Sequence, residues 1–182
     1  FQDLDKKLQA KTEVIYPSVN KQKKEKKHNI IIFVGRLNYS KGYDLYKDAV
    51  LKILDEFSDW KAYSLGDEDR RSIYINHKRH TEFGFVSHKD TLKYLNKSQI
   101  AVVPSRWEEP FGRTALEASS CGCATIISNR GGLKETTDEA VVLKKLNNYS
   151  IYNEIKKLIK NSKKIKKIQH LSRKNVKHLI PT

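Results

Sequence analysis

The sequence predicts an α/β protein: a doubly wound parallel sheet with helices on both faces. Three observations carry that expectation. Apolar runs of strand length alternate with stretches of helical periodicity along most of the chain. Several of the runs are continuously apolar rather than alternating, as strands buried on both faces are. Glycines follow the runs at Gly35 and Gly66, where a strand must turn into the next segment.

Taken in order, Phe1 to Lys11 places Leu4 and Leu8 at helical spacing, and Thr12 to Tyr16 is β-prone up to Pro17. Ser18 to His28 is polar and lysine-rich, a linker. Asn29 to Val34 is the first buried strand. Tyr43 to Phe57 is a helix, with Leu45, Ala49, Ile53 and Phe57 on a core-facing stripe beside Tyr46, Val50 and Leu54. Trp60 to Leu65 is a strand ended by Gly66-Asp67, and Arg70 to Asn76 fits neither period. Thr81 to Val86 is a short strand, and His88 to Lys97 a helix capped by Ser87. Gln99 to Pro104 is a strand, Gly112 to Cys121 a small-residue helix closed by Gly122, and Cys123 to Ser128 a strand. Gly131 to Glu135 starts a short helix and Ala140 to Leu143 is the final strand. Tyr149 to Ile159 and Ser162 to Ile180 are amphipathic helices. In such a sheet, ligands sit outside the carboxyl ends of the strands, so a site is expected among the loops after Val34, Leu65, Val86, Val103 and Ile127.

The 182 residues suit one domain with a substantial core. No apolar run reaches the length of a membrane-spanning helix. Because the chain opens on Phe1 and ends on Pro181-Thr182, it is expected to be a piece of a longer protein. The formal charge of +15 raises two alternatives. One is a basic α/β module that binds nucleic acid or an anionic membrane. The other is a lysine-filled surface, with Lys21 to Lys27 a solvated linker and Lys156 to Lys167 a solvated helix face. Aromatic residues are not interleaved with the basic runs, which argues against nucleic acid. Cys121 and Cys123 are too close to bridge well and too few for zinc, so they read as small core residues. His77 and His80 have no further ligand at metal spacing, so no metal site is expected.

The chemistry concentrates in Pro104-Ser-Arg-Trp-Glu-Glu-Pro-Phe-Gly-Arg-Thr-Ala-Leu-Glu117. Here Glu109 and Glu117 flank a turn that opens a helix. A helix N-terminus fed by a strand presents N–H groups to an anion, and carboxylates beside it suit paired sugar hydroxyls. The loop after the first strand, Gly35-Arg-Leu-Asn-Tyr-Ser-Lys-Gly42, sets Arg36 and Lys41 beside another helix start, with Ser40 placed to cap it. Two cations there suit a diphosphate. Neither the dinucleotide fingerprint nor the P-loop pattern occurs.

Gly35-Arg36-Leu37 with Lys41-Gly42, then Glu109-Pro-Phe-Gly-Arg-Thr-Ala-Leu-Glu117-Ala, then Gly131-Gly132-Leu-Lys-Glu135 together resemble the C-terminal, donor-binding half of retaining GT-B glycosyltransferases of family 4. The resemblance runs from about Val14 to about Leu143. It implies a Rossmann-like domain over residues 29–182, with residues 1–28 forming an interdomain linker and the edge of a missing N-terminal domain. It further implies that Arg36 and Lys41 hold the donor pyrophosphate, that Glu117 accepts from ribose hydroxyls, and that Glu109 contacts the transferred sugar. Gly35 and the backbone N–H groups of Phe111, Gly112, Arg113 and Thr114 would face the ligand. Phe85 and Val86 would meet the nucleobase, and Gly131 and Gly132 would let the chain pass close by. Arg36, Lys41 and Glu109 are the implied catalytic set, with no cofactor and no metal. The implied enzyme is a cytoplasmic, hexosyltransferase-type glycosyltransferase for a surface glycan or glycolipid, with a UDP- or GDP-sugar as donor. Its acceptor would sit on the N-terminal domain, without which turnover is expected to be poor or nil. Contact with the inner face of the membrane through the basic helices is a further expectation. No role falls to Arg106 or Asp67, Glu108 reads as a solvated rim charge, and Glu117 has Arg113 as a weak alternative partner. The family often has Gly-x-Pro-Val after the Glu117 helix, where this chain has Gly122-Cys-Ala-Thr-Ile.

Overall fold

The computed structural model describes residues 17–20, 22–70 and 72–175. The expected helix and strand before Pro17, and the last residues of the final helix, lie outside them. Six parallel strands form one sheet. They are β1 (His28–Val34), β2 (Lys61–Leu65), β3 (His80–Glu82), β4 (Ser98–Val103), β5 (Ala124–Ile127) and β6 (Val141–Val142), in the spatial order β3-β2-β1-β4-β5-β6. The helices are α1 (Tyr43–Glu56), α2 (His88–Lys97), α3 (Arg113–Ser120), α4 (Asn148–Ile159) and α5 (Ser162–Lys174), with a 3-10 turn at Gly131–Glu135. The expected doubly wound sheet is therefore present, and β1 and β4 meet where its order reverses.

The two faces of β1 explain the layers. Ile31 and Phe33 point into a core with Tyr43, Tyr46 and Ile53 of α1 and Ile151 and Ile155 of α4. Ile32 points the other way, to Leu95 of α2, Ala118 of α3, and Cys121 and Cys123. That alternation, buried on both sides, is why the strand reads as an unbroken apolar run. Two tyrosines enter the first core because their hydroxyls find partners there. The Tyr46 hydroxyl donates to the Tyr63 carbonyl oxygen at 2.9 Å, and that of Tyr43 lies 3.1 Å from Ser64 Oγ.

Three expectations need correction. The strand expected over Thr81 to Val86 is β3, only His80–Glu82, because Gly84 takes φ 64° and turns the chain out of the sheet. Ser40 does not cap α1. Its hydroxyl donates to Asn38 Oδ1 instead, and Gly42 occupies the cap position at φ 73°. A side chain at Gly42 would also put Cβ 2.0 Å from the Pro104 carbonyl oxygen, so both backbone and space demand glycine. Lys27 is not part of a solvated linker. Its ammonium turns inward and donates to the carbonyl oxygens of Leu95 and Cys121 at 3.1 and 2.8 Å. Ser87 does cap α2, accepting from the Asp90 N–H, and Gly122 ends α3 at φ 70°.

Candidate functional site

The helices after β1 and β4 leave on opposite faces, α1 into one core and α3 into the other. The parting loops open a crevice at the carboxyl ends of those strands. It holds a cavity of about 400 Å³, with Val34, Gly35 and Lys41 on the β1 side and Glu109 with Phe111 to Thr114 on the β4 side. Lys41 Nζ lies 2.6 Å from Glu109 Oε1, and the Glu109 side chain is only 14% exposed. The start of α3 supplies the adjoining N–H groups, which carry a positive partial charge at a helix N-terminus.

The two loops are stitched together by backbone and by one arginine. The N–H groups of Arg106 and Trp107 both donate to the Ser40 carbonyl oxygen, at 2.8 and 3.1 Å. The Arg106 guanidinium donates to both oxygens of Asp44, at 2.6 and 2.7 Å, and lies 3.5 Å above the Tyr39 ring. A further bond reaches the Tyr39 carbonyl oxygen. No local sequence pattern marks Arg106, since its acidic partner stands 62 positions earlier.

Glu108, expected to be an idle rim charge, also has a defined task. It accepts from the Gly131 N–H at 2.6 Å and pairs with Arg130 at 2.9 Å. The Arg130 guanidinium, then the Gly131 N–H, hold its carboxyl below the usual carboxylate range. Gly131 and Gly132 line neither this cavity nor the next one. They close on the backbone that carries Glu109: the Gly132 N–H donates to the Glu109 carbonyl oxygen at 2.7 Å, and a Cβ on Gly131 would meet that oxygen at 2.2 Å.

A second cavity of about 370 Å³ shares Val34 and Gly35 with the first. Arg36, Asp67, Phe85, Val86 and Thr91 line it, and the Phe85 ring is 86% exposed. Glu117 lines neither cavity. It is buried on α3, with Oε1 3.1 Å from His88 Nε2 on α2 and 3.4 Å from the Arg113 guanidinium. The structure thus brings Lys41 and Glu109 into direct contact, sets Arg36, Phe85 and Val86 in the adjoining cavity, and leaves Glu117 behind the helix start. His88 was missed at the sequence level, where a lone histidine after a cap residue carries no signal. Among the described residues no cluster of His, Cys, Asp or Glu could hold a metal ion.

Fold and site together define a doubly wound α/β domain with a crevice lined by basic and acidic residues at the reversal of its strand order. The chain belongs to the glycosyl transferases group 1 family, whose model matches residues 17–177. It is 30% identical over 162 residues to spore coat protein SA of Bacillus subtilis (strain 168), covering 80% of this chain and 43% of that protein. The crystal structure of the C-terminal domain of a group 1 family glycosyl transferase, LpcC of Francisella tularensis, superposes with a TM-score of 0.70 at 25% identity, over 87% of this chain and 92% of that one. HepE of Anabaena in complex with UDP-glucose gives a TM-score of 0.70 at 19% identity, over 81% of this chain and 43% of that one. The chain spans less than half the length of the curated relatives it matches.

Proposed function

We propose that this chain is the donor-binding domain of a retaining, family 4 glycosyltransferase that moves a hexose from a UDP- or GDP-sugar to an acceptor in surface glycan or glycolipid synthesis. One observation carries the reading: Lys41 and Glu109, 68 positions apart, meet on the wall of a cavity at the sheet's reversal point, beside the N-terminus of α3. A cation and helix N–H groups stabilise the charge that builds on a departing diphosphate. Arg36, across the shared Gly35, is the second cation, suited to bidentate oxygen contact. Glu109 in the free protein is the counter-ion of Lys41. Donor binding exchanges that pair, phosphate taking Lys41 while Glu109 accepts from a sugar hydroxyl. Glu117 accepts from the ribose, and the base lies along Phe85 and Val86. HepE, whose fold is shared, is described in complex with UDP-glucose, which supports a nucleotide sugar as donor. Residues 29–182, together with Lys27 and His28, form this domain, and the residues before them lead from a further domain that binds the acceptor, which fits the share of its relatives that the chain covers.

Titration of the chain with UDP, GDP and their sugars by calorimetry and by NMR tests the reading. One nucleotide series is expected to bind, to shift resonances at Arg36, Lys41 and Phe111 to Thr114, and to lose affinity in K41A. In the enzyme with its acceptor domain, K41A or R36A costs roughly 10²-fold in turnover, the scale of losing one transition-state donor. Absence of any shift at these positions with every nucleotide would refute it.

A further inference from the structure

We propose that His88 is a positioning residue for Glu117: it holds one carboxylate oxygen so that the other is presented to the ribose hydroxyls of a bound nucleoside diphosphate. The inference rests on the reading above, in which Glu117 is the ribose acceptor.

His88 is the first residue of α2, and the cap of that helix sets its place. Ser87 accepts from the Asp90 N–H at 3.1 Å and donates to the Asp90 carboxylate at 2.7 Å, which fixes where α2 begins and so where its first side chain stands. From there Nε2 reaches Glu117 Oε1 at 3.1 Å. Arg113 reaches the same oxygen, at 3.4 Å. No partner of Oε2 is found among the described residues. The Glu117 side chain is 9% exposed, whereas those of His88 and Arg113 are 61% and 69% exposed. A carboxylate buried to that degree, gripped at one oxygen by donors from two helices, has one orientation and one free acceptor. Thr91, one turn along α2 from His88, lines the cavity that holds Phe85 and Val86, so the helix that fixes Glu117 also borders the place where the base would lie. Of the two holders His88 is the better one. Its bond is shorter, and it joins two helices, while Arg113 joins one turn of α3 to the next in the weaker orientation. Without His88, the carboxylate can rotate about χ3, and each ribose bond must then order it first.

The test is calorimetry on the full chain with the nucleoside diphosphate that binds and with its 2′,3′-dideoxy analogue, for wild type, H88F, H88Q and E117Q. H88F keeps the ring and removes the donor, and H88Q restores an amide donor at similar reach. Expected is a loss of about fivefold in affinity for the normal nucleotide in H88F, in keeping with removal of one positioned bond to a charged group. H88Q should stay within about twofold of wild type, and H88F should bind the dideoxy analogue as wild type does. An equal loss on both nucleotides makes His88 a structural residue and overturns the proposal. No loss in H88F beside a ribose-dependent loss in E117Q also overturns it, but leaves the ribose role of Glu117 standing. No ribose-dependent loss in E117Q removes the reading beneath it, and the proposal with it.

Discussion

Arg106 sets the spacing of the two loops that carry Lys41 and Glu109. Its guanidinium forks onto Asp44 while its face covers Tyr39, so one side chain clamps the first turn of α1 to the turn after β4. A two-bond, partly buried pair of this kind exceeds the usual surface salt bridge. A double-mutant cycle between R106A and D44A, read by thermal unfolding, should give a coupling of about 1–2 kcal/mol. R106K recovers only part of it, because an ammonium neither forks nor stacks. A coupling near zero would show that the loops hold their spacing through the Ser40 backbone bonds alone. The site's residues divide by how they announce themselves in the sequence. Lys41, Glu109 and the turn at Phe111 to Thr114 stand in a compact pattern whose chemistry has a reason. Arg106, Glu108 and His88 act through partners at Asp44, Gly131 and Glu117, far along the chain, and no local pattern marks them.

At the scale of elements, the strands were legible because burial on both faces leaves runs that are apolar throughout, as at Asn29 to Val34. β3 was overread for the same reason. Phe83 is apolar because its ring packs against Tyr63 and Tyr94, with centroids 5.1 and 4.3 Å away, and not because it continues a strand. Lys27 was misread because a lysine in a lysine run looks solvated. It closes the amino-terminal end of the sheet with Arg173 of α5, both donating to the Cys121 carbonyl oxygen. Burial pushes the Lys27 ammonium below its ordinary value, and pushes the Cys121 thiol up from 9.0 to about 12 and that of Cys123 up as well. A thiol raised on folding stabilises fully below the unfolded value, and that contribution is lost as pH rises from about 9 to about 12. Lys27 runs the other way, since the unfolded chain keeps its proton to higher pH. In the native protein at pH 8, both cysteines should therefore resist a disulfide reagent until the chain opens. K27A removes one donor from each of two carbonyls and opens space beside Cys121 and Cys123, and its labelling should be faster by on the order of tenfold. Labelling of wild type at the rate of a free thiol would mean that this end of the sheet is open.

For the molecule as a whole, the question is where a formal charge of +15 is spent. The lysines of α4 are locally balanced: Lys156 pairs with Glu56 at 2.8 Å and Lys157 with Glu154 at 2.7 Å. α5 is different. It carries Lys163, Lys164, Lys166, Lys167, Arg173 and Lys174 with no acidic residue, and among the described residues none of its lysines has an ion pair. Its apolar side is used up in the core by Ile165 and Ile168, so what it shows to solvent is a cationic face, beside which Lys24 and Glu25 of the segment before β1 border a cavity with Lys166 and Arg173. No described helix is long and apolar enough to cross a membrane; with its apolar side turned to the core, α5 would meet an anionic surface through its lysines. Each lysine near an anionic bilayer contributes about 1 kcal/mol, so reversing Lys163, Lys164, Lys166 and Lys167 to Glu should lower partitioning onto phosphatidylglycerol vesicles by at least about 10³-fold. Wild type should sediment with such vesicles, release steeply as salt is raised, and ignore phosphatidylcholine. Nucleotide affinity should be unchanged in the reversed variant, because α5 reaches the amino-terminal end of the sheet at Cys121 and the crevice lies at the carboxyl ends. Binding to neutral vesicles, or undiminished binding after reversal, would put the membrane contact elsewhere. Retention on a single-stranded oligonucleotide at a salt concentration that strips the vesicles would instead favour nucleic acid as the partner of this face.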